Sequence, residues 1–136
     1  MADDFDVNYT GAIVSINNQS QAFQAYFECI NNMIKIINNK KYDTAESVKI
    51  GEYIYSNQDD DQHVWETLYK SAKGQYYLSS EGGPASRYRK EIGSNSWSRG
   101  SKDELITEQK ALEWCQLREV SAITIVEHFE SILEEG

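Results

Sequence analysis

Between residues 19 and 38 the apolar positions recur every three or four residues: Phe23, Tyr26, Phe27, Ile30, Met33, Ile34 and Ile37. That period puts seven large side chains on one face and predicts the long core helix of the protein. Asn18 or Ser20 can cap its start, and Asn38-Asn39 supply a left-handed residue to close it. The Met and the aromatics on this stripe read as core packing rather than a cofactor box. Before it, residues 7–16 (VNYTGAIVSI) are rich in β-branched side chains and predict a first strand, and residues 1–6 a frayed acidic start.

After the helix the period shortens to two. Strands are expected at residues 47–55, 63–70 and 75–79. Gly74 in the short SAKG link supports a hairpin between the last two, and SNQDDDQ separates the first two as a solvated loop. Strict alternation collects Ile50, Glu52, Ile54, Val64, Glu66 and Leu68 on one face and Tyr53, Tyr55, Trp65, Thr67 and Tyr69 on the other. One face meets the helix; the aromatic one is either a binding surface or covered by the terminal helices. Residues 80–104 show no apolar period and are expected to form a long basic loop. The tail returns to helical spacing in two pieces. Thr107 and Ser121 are the expected caps, and residues 118–120 the short link that makes a C-terminal helical hairpin. The fold class expected is α+β: a single domain over residues 1–136, with a three- to four-stranded antiparallel sheet packed by one long helix.

Charge adds a second pattern. The chain carries a net −9, yet residues 69–102 hold seven basic residues against two acidic ones, so this segment is +5 and the rest is −14. An acidic body disfavours general nucleic-acid binding through phosphate repulsion and suits a basic protein groove. Asp59, Asp60, Asp61, Glu127, Glu130 and Glu134 are the candidate acidic contacts. Acidic groups at the end of the last helix oppose its dipole, so a basic partner is expected to steady that end. Arg87, Tyr88, Arg89, Lys90, Trp97 and Arg99 are the candidate basic-aromatic contacts, for a partner or for phosphate.

Known chemical motifs are missing. Asp59–Asp61 lack the alternating ligands, glycine and distal glutamate of a calcium loop. Cys29, Cys115, His63 and His128 are scattered singly, which excludes a zinc spacing and leaves both cysteines as buried thiols. EGGPASRYRK has the composition of a phosphate cradle without its glycine spacing; a sharp turn at Gly82-Gly83-Pro84 is the stronger reading. Glu52 and Glu66 would make an acid–base pair only if adjacent strands set them opposite; a wet sheet edge is the ordinary alternative. No nucleophile elbow, metal or cofactor motif is present, and no enzyme is expected. No leader or membrane-spanning run is visible, so a soluble, cytoplasmic protein is expected.

The run ETLYKSAKGQYYLSSEGGPASRY resembles a motif of short uncharacterised bacterial proteins, many carried on phages, plasmids and conjugative elements. Their pattern is E-T-L-Y, a basic turn with glycine, an aromatic pair, then E-G-G-x-x-S-x-Y, and a later helix with a tryptophan comparable to ITEQKALEWC. The likeness runs from Glu66 to Trp114; Ser79-Ser80 stands where a glycine-containing dipeptide is more usual, and the N-terminal helix falls outside it. No activity comes with this resemblance. It implies a mobile-element context, in which small acidic proteins often block host defence, CRISPR effectors included. The expected function is therefore a non-enzymatic, anti-CRISPR-like inhibitor whose acidic surface competes for a nucleic-acid groove of a host nuclease. The alternative is a nucleic-acid or nucleotide-binding module using residues 69–102.

Overall fold

The computed structural model describes residues 33–136. The strand expected at 7–16, the frayed start, Cys29 and most of the expected long helix lie outside them. By internal contacts the chain divides into Met1–Ile34 and Lys35–Gly136. The second unit is α+β, with antiparallel strands and two helices.

The helix expected to reach residue 38 does not do so, because Ile34–Ile37 is a strand, β1, that pairs with β2 (Lys40–Asp43). Asn38 and Asn39 take φ of 52° and 66°. Left-handed asparagines do close helices, but two in succession make the tight turn that matches the twist of a hairpin. The β-branched run Ile34-Lys35-Ile36-Ile37 then favours strand over helix.

After a 3-10 turn at Thr44–Glu46 come β3 (Val48–Tyr55), β4 (Val64–Lys70) and β5 (Tyr76–Gly82), as the alternation implied. Gly74, with φ of 90°, turns the chain between β4 and β5. Residues 80–104 are not one long loop. β5 extends to Gly82, β6 (Lys90–Gly93) pairs with β7 (Ser96–Ser98), and β8 (Gly100–Ile106) joins the main sheet, whose order is β3-β4-β5-β8. β6 is solvent-exposed at all four positions, so it has no apolar alternation to betray it. β8 pairs with β5 throughout, from Tyr76–Ile106 to Gly82–Gly100. At Gly100 a Cβ would run into the Tyr88 carbonyl oxygen, so only glycine admits the 83–89 segment against β8.

A bulge corrects the predicted faces. The β3–β4 register slips between Lys49 and Gly51, leaving Ile50 as the extra residue. One added residue turns every later side chain to the opposite face. Ile50 packs in the helix-side core, yet Glu52 pairs with Thr67 and Tyr53 pairs with Glu66. Glu52 and Glu66 therefore lie on opposite faces and form no acid–base pair. Glu52 instead accepts from Trp65 Nε1 at 2.6 Å.

The helix-side core joins Ile50, Leu68, Tyr76 and Leu78 of the sheet to Ala111, Leu112, Trp114, Cys115 and Phe129. On the other face Tyr77 is fully buried, stacked on Tyr69 at 5.1 Å, with Ile37 and Tyr42 of the β1–β2 hairpin over it. This part of the aromatic face is thus covered by a hairpin, not by terminal helices. Helix α1 (Glu108–Leu117) is capped by Thr107, which accepts from Lys110 N at 3.1 Å, and α2 (Ala122–Phe129) by Ser121, which accepts from Thr124 N at 3.3 Å. Between them Glu119 takes φ of 61°, with Val120 N bonding to Cys115 O and Glu119 N to Gln116 O. That is a Schellman closure built on glutamate instead of glycine. Burial pushes the Cys115 thiol up to about 11, so it is an inert core residue.

Candidate functional site

The core of the described residues encloses a carboxylate. Glu66 on β4 has 0% exposure, on a strand whose neighbours Thr67 and Leu68 are also buried. An ionised carboxylate there needs donors for both oxygens. Oε1 accepts from Trp114 Nε1 at 2.8 Å and from Arg118 Nε at 2.9 Å. Oε2 accepts from the Arg87 guanidinium and the Tyr88 hydroxyl, which also bond each other at 2.7 Å.

Each donor has its own local reason for being in place. Trp114 and Arg118 are four residues apart, so one helix face presents both. Arg118 caps α1 at its C-terminus, where a cation complements the dipole, and its guanidinium lies 3.8 Å over the Tyr53 ring. The helix reaches the sheet here because Gly51 has no side chain: a Cβ would sit 2.8 Å from Val120 Cγ2 and 3.2 Å from Trp114. Arg87 and Tyr88 come from the turn after β5. There Ser86, buried beneath Gly82, donates to Gly83 O at 2.8 Å and accepts from Tyr88 N at 3.2 Å.

Burial, the largest influence on Glu66, would raise its pKa; hydrogen bonds from Arg118, Tyr88 and Trp114, with the Arg118 charge, outweigh it and hold the group below the ordinary range. Tyr88 is shifted upward by burial and by the facing Glu66, so it stays a neutral donor. With four donors on two oxygens, Glu66 has no free position from which to take a substrate proton.

Residues 83–89 form no phosphate cradle. Gly83 N donates to His63 O, Ala85 N to Asp61 O, Ser86 N to Gly83 O and Arg89 N to Ser86 O, so the amides a phosphate would need are engaged within the protein. Gly82 and Gly83 serve close approach: a Cβ on Gly83 would collide with Asp61 O. They end a strand in a sharp turn, as their sequence implied. No metal-holding cluster of His, Cys, Asp and Glu occurs among the described residues.

The chain matches no family model, no curated protein and no solved structure.

The predicted contact residues do not form one surface. Asp59, Asp60 and Asp61 are exposed on a turn held by Ser56 Oγ to Asp60 and Gln62 N to Asp60, beside the Gly82 end of β5. Glu127, Glu130 and Glu134 are exposed on α2 and the segment after it. This is the other end of the sheet, where Phe129 stacks on Tyr76 at 5.4 Å and Tyr76 donates to His128 O. The seven residues of β5 set these ends about 20 Å apart. The two acidic groups are not one patch.

The basic-aromatic set is also divided. Arg87 and Tyr88 point into the Glu66 cluster, although Arg87 keeps 60% of its side chain in solvent. Arg89 stacks 3.9 Å over Trp97, Arg99 donates to Gln58 O at 3.2 Å, and Lys90 is exposed on β6. The residues that sequence reasoning passed over are Trp114 and Arg118. The signal was their four-residue spacing on a helix, with an aromatic N–H and a guanidinium on the face turned to a strand glutamate.

Proposed function

We propose that this protein is a non-enzymatic binding protein of a phage or mobile element, and that it inhibits a host nucleic-acid enzyme by offering exposed carboxylates to a basic groove. The observation that carries this reading is an asymmetry of partners. Within the basic segment, Lys70 lies over Tyr76, Arg87 on Glu66, Arg89 over Trp97, Arg99 on Gln58 O and Lys102 on Glu104. Asp59, Asp60, Asp61, Glu127, Glu130 and Glu134 have no Lys or Arg within salt-bridge range among the described residues. Arg87 and Lys102 are paired with carboxylates, and Lys70, Arg89 and Arg99 keep their charge but are held against rings or a carbonyl of the same fold, whereas these six carboxylates face outward without a Lys or Arg beside them among the described residues. Opposite potentials steer association and set register, which suits a competitor for nucleic acid. The resemblance of the Glu66–Trp114 stretch to mobile-element proteins supports the same context, with a CRISPR effector among the candidate targets.

The test is affinity capture from the bacterial host with the tagged protein, followed by competition. The expected result is recovery of a nuclease or other nucleic-acid enzyme that added DNA or RNA displaces. Recovery of no such enzyme, or direct salt-dependent binding of DNA by this protein abolished in Arg89→Ala/Lys90→Ala, would replace this reading with the nucleic-acid-binding module.

A further inference from the structure

Helix α2 buries one side and leaves another apolar stripe exposed among the described residues. Phe129 is fully buried, and Ile125 and Ile132 pack against the same core. On the outer side Ile123 is 82% exposed and Val126 48% exposed. These two stand three residues apart, with Glu127 and Glu130 at the next three- and four-residue steps, so one helix face carries two aliphatic side chains followed by two carboxylates. A face of this kind on a surface helix marks an interaction site when its charge says what it excludes.

The charge does so here. Glu127, Glu130 and Glu134 repel nucleic-acid phosphates and an anionic membrane. A second copy docked through the same patch would bring its own glutamates against these, because a two-fold contact presents each patch to itself. The helix end adds a further demand. The last turn of α2 has His128 but no Lys or Arg, and the carboxylate of Glu130 follows at the helix end, where the dipole is negative. Cations brought alongside would relieve this arrangement, and an apolar stripe between them would cover Ile123 and Val126.

We infer that the outer face of α2 is a docking site for a basic amphipathic helix of a partner protein, with Ile123 and Val126 seated in its apolar stripe and Glu127 and Glu130 paired with flanking Lys or Arg. This rests on the acidic-competitor reading and narrows it: the partner is gripped through a helix lining its basic groove, by apolar contact as well as charge. Asp59–Asp61, about 20 Å away along β5, are outside this site.

The test uses the full chain and a synthetic amphipathic peptide of leucine and lysine, with a scrambled peptide of the same composition as control. Fluorescence anisotropy gives the affinity and backbone amide NMR shifts give the site. The amphipathic peptide is expected to shift residues 119–134 and to bind at least tenfold more tightly than the scramble. Ile123→Asp is expected to weaken it at least tenfold, and Glu127→Gln/Glu130→Gln to weaken it and flatten its salt dependence. Equal binding of the scramble, shifts centred on Asp59–Asp61, or self-association abolished by Ile123→Asp would each overturn the inference. Because the peptide assay contains no nuclease, failure here with intact enzyme capture removes the α2 site alone, whereas failure of capture removes the broader reading.

Discussion

Glu66 and Glu127 are the same residue in opposite circumstances. Glu66 lies buried under α1 with Trp114, Arg118, Arg87 and Tyr88 on its two oxygens. Glu127 stands on the outside of α2 with only His128 Nε2 at 4.0 Å. The buried group is fully answered by the fold and has nothing left to offer a ligand. The exposed one is unanswered, and the solvated charge it carries is available to a partner. The conspicuous ETLY, SRY and LEWC segments meet at a structural joint, and the plainer acidic tail faces outward.

The largest expected effect breaks the joint. Glu66→Gln removes the charge from between two arginines and should cost about 4 kcal/mol in urea unfolding, the scale for breaking a buried ion pair. Asp59→Asn/Asp61→Asn should leave the unfolding midpoint where it is; similar losses in both variants would erase the contrast. Acid acts on the same joint. Since the folded pKa of Glu66 lies below its ordinary value of 4.5, the stabilisation is complete above that value and is lost as pH falls through the lower folded one. Unfolding followed from pH 6 downward should show this acid limb in the native chain and a shallower one in Glu66→Gln.

Trp114→Phe keeps an aromatic side chain but deletes the indole N–H to the carboxylate and part of the buried ring, so a loss of at least about 2 kcal/mol is expected in the same assay. A neutral result would mean that Arg118 alone satisfies Oε1. The smallest effect has the opposite sign. Glu119 holds a left-handed conformation that costs a side-chain-bearing residue about 1 kcal/mol, so Glu119→Gly should stabilise the protein by that amount. Destabilisation would show that this glutamate makes a compensating contact.

Local signals were legible in the sequence. The caps at Thr107 and Ser121, the turn at Gly74 and the strand cores around Ile50, Leu68 and Tyr77 depend on neighbouring residues and stand where the pattern put them. The faces were not, because the single extra residue at Ile50 reverses β3 without leaving a mark in composition. β6, β7 and β8 lacked an apolar rhythm because they are exposed or half-buried along their length. Asn38-Asn39 can end a helix or turn a hairpin, and pairing of the β-branched Ile34–Ile37 strand with the next one decided for the hairpin. The Glu66 cluster joins residues separated by 21 to 52 positions, which no local window contains.

If the outward carboxylates hold the partner while the basic segment and the Glu66 joint maintain the scaffold, the two surfaces must respond differently to substitution. The decisive quantity is the affinity for the captured nucleic-acid enzyme, measured for the native chain, for Glu127→Gln/Glu130→Gln/Glu134→Gln and for Arg89→Ala/Lys90→Ala. A loss of at least tenfold is expected in the acidic-face variant, with steep salt dependence in the native chain and little change in the basic one. Unchanged affinity in the acidic-face variant, with loss in the basic one, would reverse the assignment of the two surfaces.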